Sequence, residues 1–210
     1  MKPLQIIEHQ KLIAIIRDFS TEDSLEIAKA LHQGGIEVLE IAMNSPQPLQ
    51  TIEKIKKELG DEITVGAGTV LDPSSAKSAI SAGAQFILSP SYSSETIQLT
   101  KRHGIVSIPG AFTPTEILTA FEQGGDIIKV FPASVGGPSY IKDLLGPLPQ
   151  LKLLPTGGVD MNNVTDFLDK GVTGLGLGNS LVHKTDEVTT DYLKKITKKA
   201  HDFVRLVTVN

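Results

Sequence analysis

Short apolar runs alternate with longer amphipathic segments along the whole chain, and this rhythm restricts the fold more than any single motif. The strand-like runs fall at 12–16, 36–42, 63–66, 85–89, 105–108, 127–131, 151–154 and 174–177. Helix-like segments lie near 21–33, 48–59, 74–82, 94–103, 114–123, 138–145, 161–170 and 186–206. The runs are apolar at nearly every position, the pattern of parallel strands covered by helices on both faces. Eight such units in 210 residues fit a compact (β/α)8 TIM barrel, read as one domain over 1–210 with a short N-terminal helix. An open doubly wound sheet would carry Gly-x-Gly-x-x-Gly after its first strand. Ile16-Arg17-Asp18-Phe19-Ser20 contains no glycine, so the barrel is the expectation.

Cap chemistry marks the helix starts. Thr113-Pro114-Thr115-Glu116 offers an N-cap threonine, a proline at the first helical position and a glutamate reaching back. Asp72-Pro73 and Ser45-Pro46 are read as openings of two further helices, and Asp160 as preceding another. Glycines at 34–35, 60, 83, 104, 124–125 and 171 stand where helices should end.

Composition excludes several classes. A net charge of −4 gives no basic field for nucleic acid or an anionic membrane. The absence of cysteine removes disulfides, thiol nucleophiles and cysteine-bound metal, and suits a cytoplasmic protein. The first ten residues hold no long apolar segment, and no run approaches a membrane span, so neither a signal peptide nor a membrane partner is expected.

Lys129 is the residue with the most chemical content. It stands in Asp126-Ile-Ile-Lys-Val-Phe-Pro-Ala133, a run whose neighbours all read as buried strand. Burial lowers a lysine pKa, and a neutral amine can attack a carbonyl to form a Schiff base. A lysine that snorkels to solvent, or that neutralises a buried carboxylate, fits the run equally well. Glu40 supplies such a carboxylate, because alternation in β-conformation puts Val38, Glu40 and Ala42 on one face, the inward face of a barrel. The pair can be an inert ion pair or a nucleophile with its proton shuttle, and position alone leaves both open.

Barrel sites lie at the C-terminal strand ends. There stand Arg17, Asn44, Gly66-Ala-Gly-Thr69, Ser89-Pro90, Pro109-Gly110, Pro155-Thr-Gly-Gly158 and Gly176-Leu-Gly-Asn-Ser180. The loops after the seventh and eighth strands are the usual phosphate cradle of this fold, and both are glycine-rich here, although glycine also serves tight turns. The five histidines show no metal-ligand spacing, and no Gly-x-Ser-x-Gly elbow exists. No cofactor or metal is expected. The lysines at 194, 195, 198 and 199 read as the wet face of the last helix.

With these residues in place, the chain resembles the 2-keto-3-deoxy-6-phosphogluconate and 4-hydroxy-2-oxoglutarate aldolases. The matching stretches are Ile13-Ala-Ile-Ile-Arg17, Val38-Leu-Glu-Ile41, Val65-Gly-Ala-Gly-Thr-Val-Leu71, Gly83-Ala-Gln-Phe-Ile-Leu-Ser-Pro90, Ile108-Pro-Gly110, Thr113-Pro-Thr-Glu116, Ile128-Lys-Val-Phe-Pro-Ala133, Gly146-Pro147 and Leu154-Pro-Thr-Gly-Gly158. They are colinear over nearly the whole chain. The resemblance implies a metal-independent class I aldolase and lyase, usually a homotrimer, which releases pyruvate from a small phosphorylated 2-keto acid. It implies Lys129 as the Schiff-base residue, Glu40 as general acid/base, and Thr69, Pro90 and Thr156 as substrate contacts. Gly157, Gly158, Gly178 and Ser180 would bind the phosphate, with Asn179 in the same loop, and Arg17 would face the carboxylate. At Asn44 the phosphogluconate branch has an arginine; Glu40-Ile-Ala-Met-Asn-Ser-Pro-Gln47 and Gly137-Pro-Ser-Tyr-Ile-Lys142 look more like the enzymes for the phosphogalactonate epimer. A phosphosugar isomerase or epimerase with Glu40 as base, and a non-catalytic phosphate-binding barrel, are the alternatives.

Overall fold

Parallel pairing links the strands into a cylinder. The computed structural model describes residues 1–60 and 62–209. Its strands are β1 (Leu12–Ile16), β2 (Val38–Ala42), β3 (Thr64–Gly68), β4 (Phe86–Leu88), β5 (Val106–Ile108), β6 (Gly110–Ala111), β7 (Ile128–Val130), β8 (Leu153–Pro155) and β9 (Leu175–Leu177). They form two curved sheets, ordered β5-β4-β3-β2-β1-β9 and β6-β7-β8, with parallel pairing throughout.

Two seams close the sheets on each other. At one, Thr156 bridges Gly176 and the Thr173 N–H donates to Leu153 O at 2.9 Å. At the other, Asp126 N–H donates to Ser107 O and Lys129 N–H to Pro109 O, each at 2.9 Å. The fifth barrel strand is split into β5 and β6 because Pro109, between them, has no N–H to give to the ladder. The result is the expected (β/α)8 barrel, with β5 and β6 sharing one place in it.

The outer helices are α2 (Thr21–Gln33), α3 (Pro48–Leu59), α4 (Pro73–Ser81), α5 (Ser94–Arg102), α6 (Pro114–Glu122), α7 (Ala133–Leu145), α8 (Val164–Leu168) and α9 (Thr190–Val209). The short N-terminal helix α1 (Pro3–Gln10) plugs the lower end of the barrel. Its Ile7 is fully buried among Ile13, Val38, Phe86, Leu88, Ile108, Ile127 and Leu154, the lumen-facing residues. Glu8 pairs with Lys152 at 2.7 Å beside it. Residues one position along, such as Leu39, Ile41, Ile128 and Val130, belong to the second core, between strands and helices. Alternation therefore divides each strand between two apolar layers.

Most caps stand where the sequence puts them. Thr113 and Glu116 form a capping box, and the Asp72 carboxylate accepts from Ser75 N–H at 2.8 Å. Gly35, Gly60, Gly83, Gly104, Gly124 and Gly171 take positive φ after helices, the left-handed geometry that glycine adopts without strain. One cap and two boundaries differ, while helix α3 keeps its expected 48–59 span. Helix α3 opens at Pro48 behind Gln47, not at Ser45-Pro46, because the Ser45 hydroxyl is used elsewhere, accepting from Asp18 N–H at 3.0 Å. Asp160 caps no helix directly; its carboxylate accepts from Asn162 N–H in a turn, and α8 begins only at Val164. Helix α7 starts at Ala133, well before 138, and kinks at Gly137 (φ 63°) ahead of Pro138.

Phe86 is fully buried in the lumen. Phe86→Ala should lower unfolding free energy by about 3–5 kcal/mol, read as a shifted urea midpoint at unchanged slope, since the strands around it cannot collapse into the void.

Candidate active site

Lys129 sits at the centre of β7, in register with Gly110 of β6 and Leu154 of β8. Because Ile128 and Val130 face the helices, Lys129 must face the lumen, where it is 3% exposed. Glu40, at the centre of β2, is in register with Ile15 and Gly66 and is 0% exposed. Neither carboxyl oxygen of Glu40 has a hydrogen-bond partner among the described residues. A buried carboxylate left without partners is costly, so the group favours its neutral form.

The electrostatics run the same way for both groups. Burial pushes the Lys129 ammonium below the ordinary lysine value; Glu40 pulls it back up, and Arg17 adds to the depression. Burial raises the Glu40 carboxyl above its ordinary value, against the opposing pulls of Lys129 and Arg17. In both residues desolvation outweighs mutual attraction. No direct hydrogen bond ties the two together among the described residues, which argues against the tight inert ion pair. The arrangement favours a free amine with a carboxylic acid held behind it.

Above Lys129 opens a cavity of about 470 Å³ at the C-terminal strand ends. Arg17, Thr69, Pro90, Lys129, Thr156, Gly157, Gly158, Gly178, Asn179 and Ser180 all line it. Glu40 lies outside this lining, sealed in the wall. Asn44 is exposed in the turn after β2 and also lies outside it. Arg17 donates from Nη2 to Thr69 Oγ1 at 3.2 Å, and Thr69 holds φ 58°, an uncommon geometry for a β-branched residue. That pairing aims a guanidinium and a hydroxyl at the same wall of the cavity.

Two turns, after β8 and after β9, build more of the lining; because β9 pairs with β1, the second turn stands beside the strand that ends at Arg17. Gly157 and Gly158 have φ of 85° and 83°, and Gly158 lies against Ser134 at the start of α7. Leu181 and Val182 N–H groups both donate to Gly178 O at 2.9 Å, winding 178–182 into one helical turn. The Ser180 hydroxyl is buried with no partner among the described residues. A buried hydroxyl in that state costs roughly 1–3 kcal/mol, which a ligand oxygen can recover. Small residues in tight turns, with a hydroxyl unpaired among the described residues, suit an oxyanion at this end.

Some lining residues were not singled out in the sequence. Phe131 brings its ring centroid to 4.7 Å from Lys129 Nζ, and Asp160 joins the wall beside the glycine turn. Phe131 was recoverable: it stands two places after Lys129, hence on the same strand face. Asp160 was hidden by its reading as a helix opener.

Fold and site together define a (β/α)8 barrel enzyme with its candidate site at the C-terminal strand ends. The family description "KDPG and KHG aldolase" matches residues 4–199. A 2-dehydro-3-deoxy-6-phosphogalactonate aldolase of Escherichia coli (strain K12) is 39% identical over 81% of this chain and 83% of its own. A 2-dehydro-3-deoxy-phosphogluconate aldolase of Treponema pallidum (strain Nichols) is 30% identical over 98% and 97%. Among solved structures, the KDPG aldolase of Legionella pneumophila, with pyruvate captured as a covalent carbinolamine intermediate, superposes with a TM-score of 0.87. It is 30% identical, covering 96% of this chain and 97% of that one. The chain belongs to the KDPG and KHG aldolase family and is an aldolase, a lyase.

A depressed Lys129 pKa has a direct signature. Below that pKa the residue is an inert ammonium; above it the amine reacts. Competitive acetylation with peptide mapping should label Lys129 at a pH where a free lysine, with its reference pKa of about 10.4, remains unreactive. A labelling midpoint as high as that of the surface lysines would mean that burial does not destabilise the Lys129 ammonium.

Proposed function

We propose that this chain cleaves 2-keto-3-deoxy-6-phosphogluconate to pyruvate and glyceraldehyde 3-phosphate through a Schiff base on Lys129. The observation that carries the reading is a nearly fully buried amine lining a cavity whose glycine-rich turns suit an oxyanion. The Lys129 amine attacks the C2 carbonyl, and Glu40, in its protonated form, gives its proton to the departing carbinolamine hydroxyl. Water leaves and an iminium remains. The Glu40 carboxylate then takes the C4 hydroxyl proton, the C3–C4 bond breaks, and its electrons enter the iminium to give an enamine. Glyceraldehyde 3-phosphate departs. Glu40 returns the proton to C3, and hydrolysis of the new iminium frees pyruvate and restores both groups.

The remaining residues fit binding roles. Arg17 and Thr69 would hold the carboxylate, Pro90 and Thr156 the carbon chain, and Gly157, Gly158, Gly178, Asn179 and Ser180 the phosphate. Phosphate binding remote from the scissile bond positions C4 for proton removal. Because Glu40 is sealed behind the cavity wall, its proton reaches the substrate through a small side-chain shift or a single water. The reading extends to one catalytic domain, a cytoplasmic location and a homotrimer, all resting on family resemblance; sedimentation velocity tests the last.

Cleavage of the C4 epimer, the phosphogalactonate analogue, is the second reading. It is favoured by the 39% identity to an aldolase of that name and by Asn44 where the other branch has a cation. Offering both epimers and comparing kcat/KM for pyruvate release separates the two.

Lys129→Ala should lose turnover and the borohydride-trapped pyruvate adduct together; an adduct on that variant would move the nucleophile elsewhere. Glu40→Gln should still form the adduct but lose about 10²–10⁴-fold in kcat. Wild-type kcat in that variant would remove Glu40 from the mechanism.

A further inference from the structure

Three glycines point into the lumen from strands where no unusual backbone geometry calls for them. Gly66 and Gly68 on β3 and Gly176 on β9 are absent from the positive-φ residues, unlike the helix-ending glycines. What they share is crowding. A Cβ on Gly66 would lie 2.5 Å from the Phe86 ring, and one on Gly176 would lie 2.3 Å from Thr156 Oγ1. A Cβ on Gly68 would lie 1.7 Å from Glu40 Oε1, 2.1 Å from its Cδ and 2.5 Å from its Cγ. By contrast, Gly60, Gly104 and Gly171 have nothing among the described residues within 4 Å of the same point.

Gly68 is thus the slot in which the Glu40 carboxyl rests. Register pairs Ala42 with Gly68 and Glu40 with Gly66, so the side chain of Glu40 leans along β3 across the face that Gly68 leaves bare. The next residue, Thr69, lines the cavity. An occupied slot would push the carboxyl off this site toward the open volume that holds Lys129. The obstructing atoms are the end of a flexible side chain rather than backbone, so the barrel can accept the methyl by turning Glu40 aside.

We infer that Gly68 is a positioning residue: its missing side chain gives the Glu40 carboxyl a seat apart from Lys129 in the lumen that the two side chains share. The inference rests on the aldolase reading. It adds a residue that touches no substrate and acts through Glu40 alone. The charged groups acting on Lys129 are Glu40 from β2 and Arg17 from the end of β1; Asp160 stands on the cavity wall after β8. Of these, Glu40 is the one whose position Gly68 controls.

The test is Gly68→Ala, alone and with Glu40→Asp, whose shorter side chain withdraws the carboxyl from the added methyl. Gly68→Ala should lower kcat by about 10²-fold, the effect expected of a catalytic group displaced by roughly 1 Å. It should also move the pH midpoint of pyruvate trapping on Lys129 upward, because a carboxylate turned toward the amine favours the ammonium. Glu40→Asp in the Gly68→Ala background should recover much of the lost kcat, although Glu40→Asp alone is impaired. Wild-type kcat and an unmoved midpoint in Gly68→Ala, or losses that simply multiply in the double variant, overturn the inference. Should Gly68→Ala fail to fold, Gly68→Ala/Glu40→Ala decides. Recovery of folding supports the contact, and continued failure shows that Gly68 serves the barrel itself. Failure of the wild type to trap pyruvate at all would sink the aldolase reading. The contact would then be judged by the thermal-stability coupling between positions 68 and 40.

Discussion

Withdrawal of one lysine and one glutamate from water inside a closed parallel barrel is the constraint on which the rest of this structure turns. Closure leaves alternate side chains of every strand in a lumen sealed at one end by α1. In that space an ion loses far more solvation than a neighbouring charge returns, unless the two are held in direct contact. Lys129 and Glu40 share the lumen without that contact among the described residues, and both are driven toward neutrality. The same desolvation that makes this pair costly favours a neutral amine and a neutral carboxyl.

The barrel supports the arrangement by subtraction as much as by packing. Apolar side chains fill the lower lumen, from Ile7 through Phe86 and Leu88 to Leu154. Toward the C-terminal ends bulk gives way to glycine, at Gly66, Gly68 and Gly176, each beside a larger side chain from an adjoining strand. A graded interior of this kind places the reactive groups where solid core ends and cavity begins. Protein interiors are close-packed, so an omitted side chain is a specific vacancy that one neighbour fills.

The cavity lining combines a guanidinium with small and hydroxyl-bearing residues. Arg17, tied to Thr69, brings the cation, and the 157–158 and 178–180 turns bring glycines and a buried hydroxyl. Because β9 pairs with β1, the 178–180 turn follows the strand next to the one that ends at Arg17. Asp160 stands just past the first of these turns. A lining of this kind suits an anion that must be aimed as well as held.

Much of this was legible in the order of residues. Eight apolar runs, glycines after helices and the capping box at Thr113 reflect interactions within a few positions of one another, so local chemistry reports them. The departures from that reading have a non-local cause at Ser45 and a local one at Pro109, which has no N–H to give. The Ser45 hydroxyl is used by the backbone of Asp18, and Pro109 divides one strand into two. The candidate site followed the same rule. Strand alternation was enough to turn Lys129 and Glu40 inward, and the fold class was enough to bring Arg17, Thr69 and the glycine turns to one end. Whether the pair sits as a salt bridge or as two neutral groups, that Asn44 lies outside the cavity, and that Gly68 is the seat of Glu40 depend on distances between strands. Such distances arise only when the cylinder closes, because desolvation and close contact are properties of a neighbourhood and not of a chain.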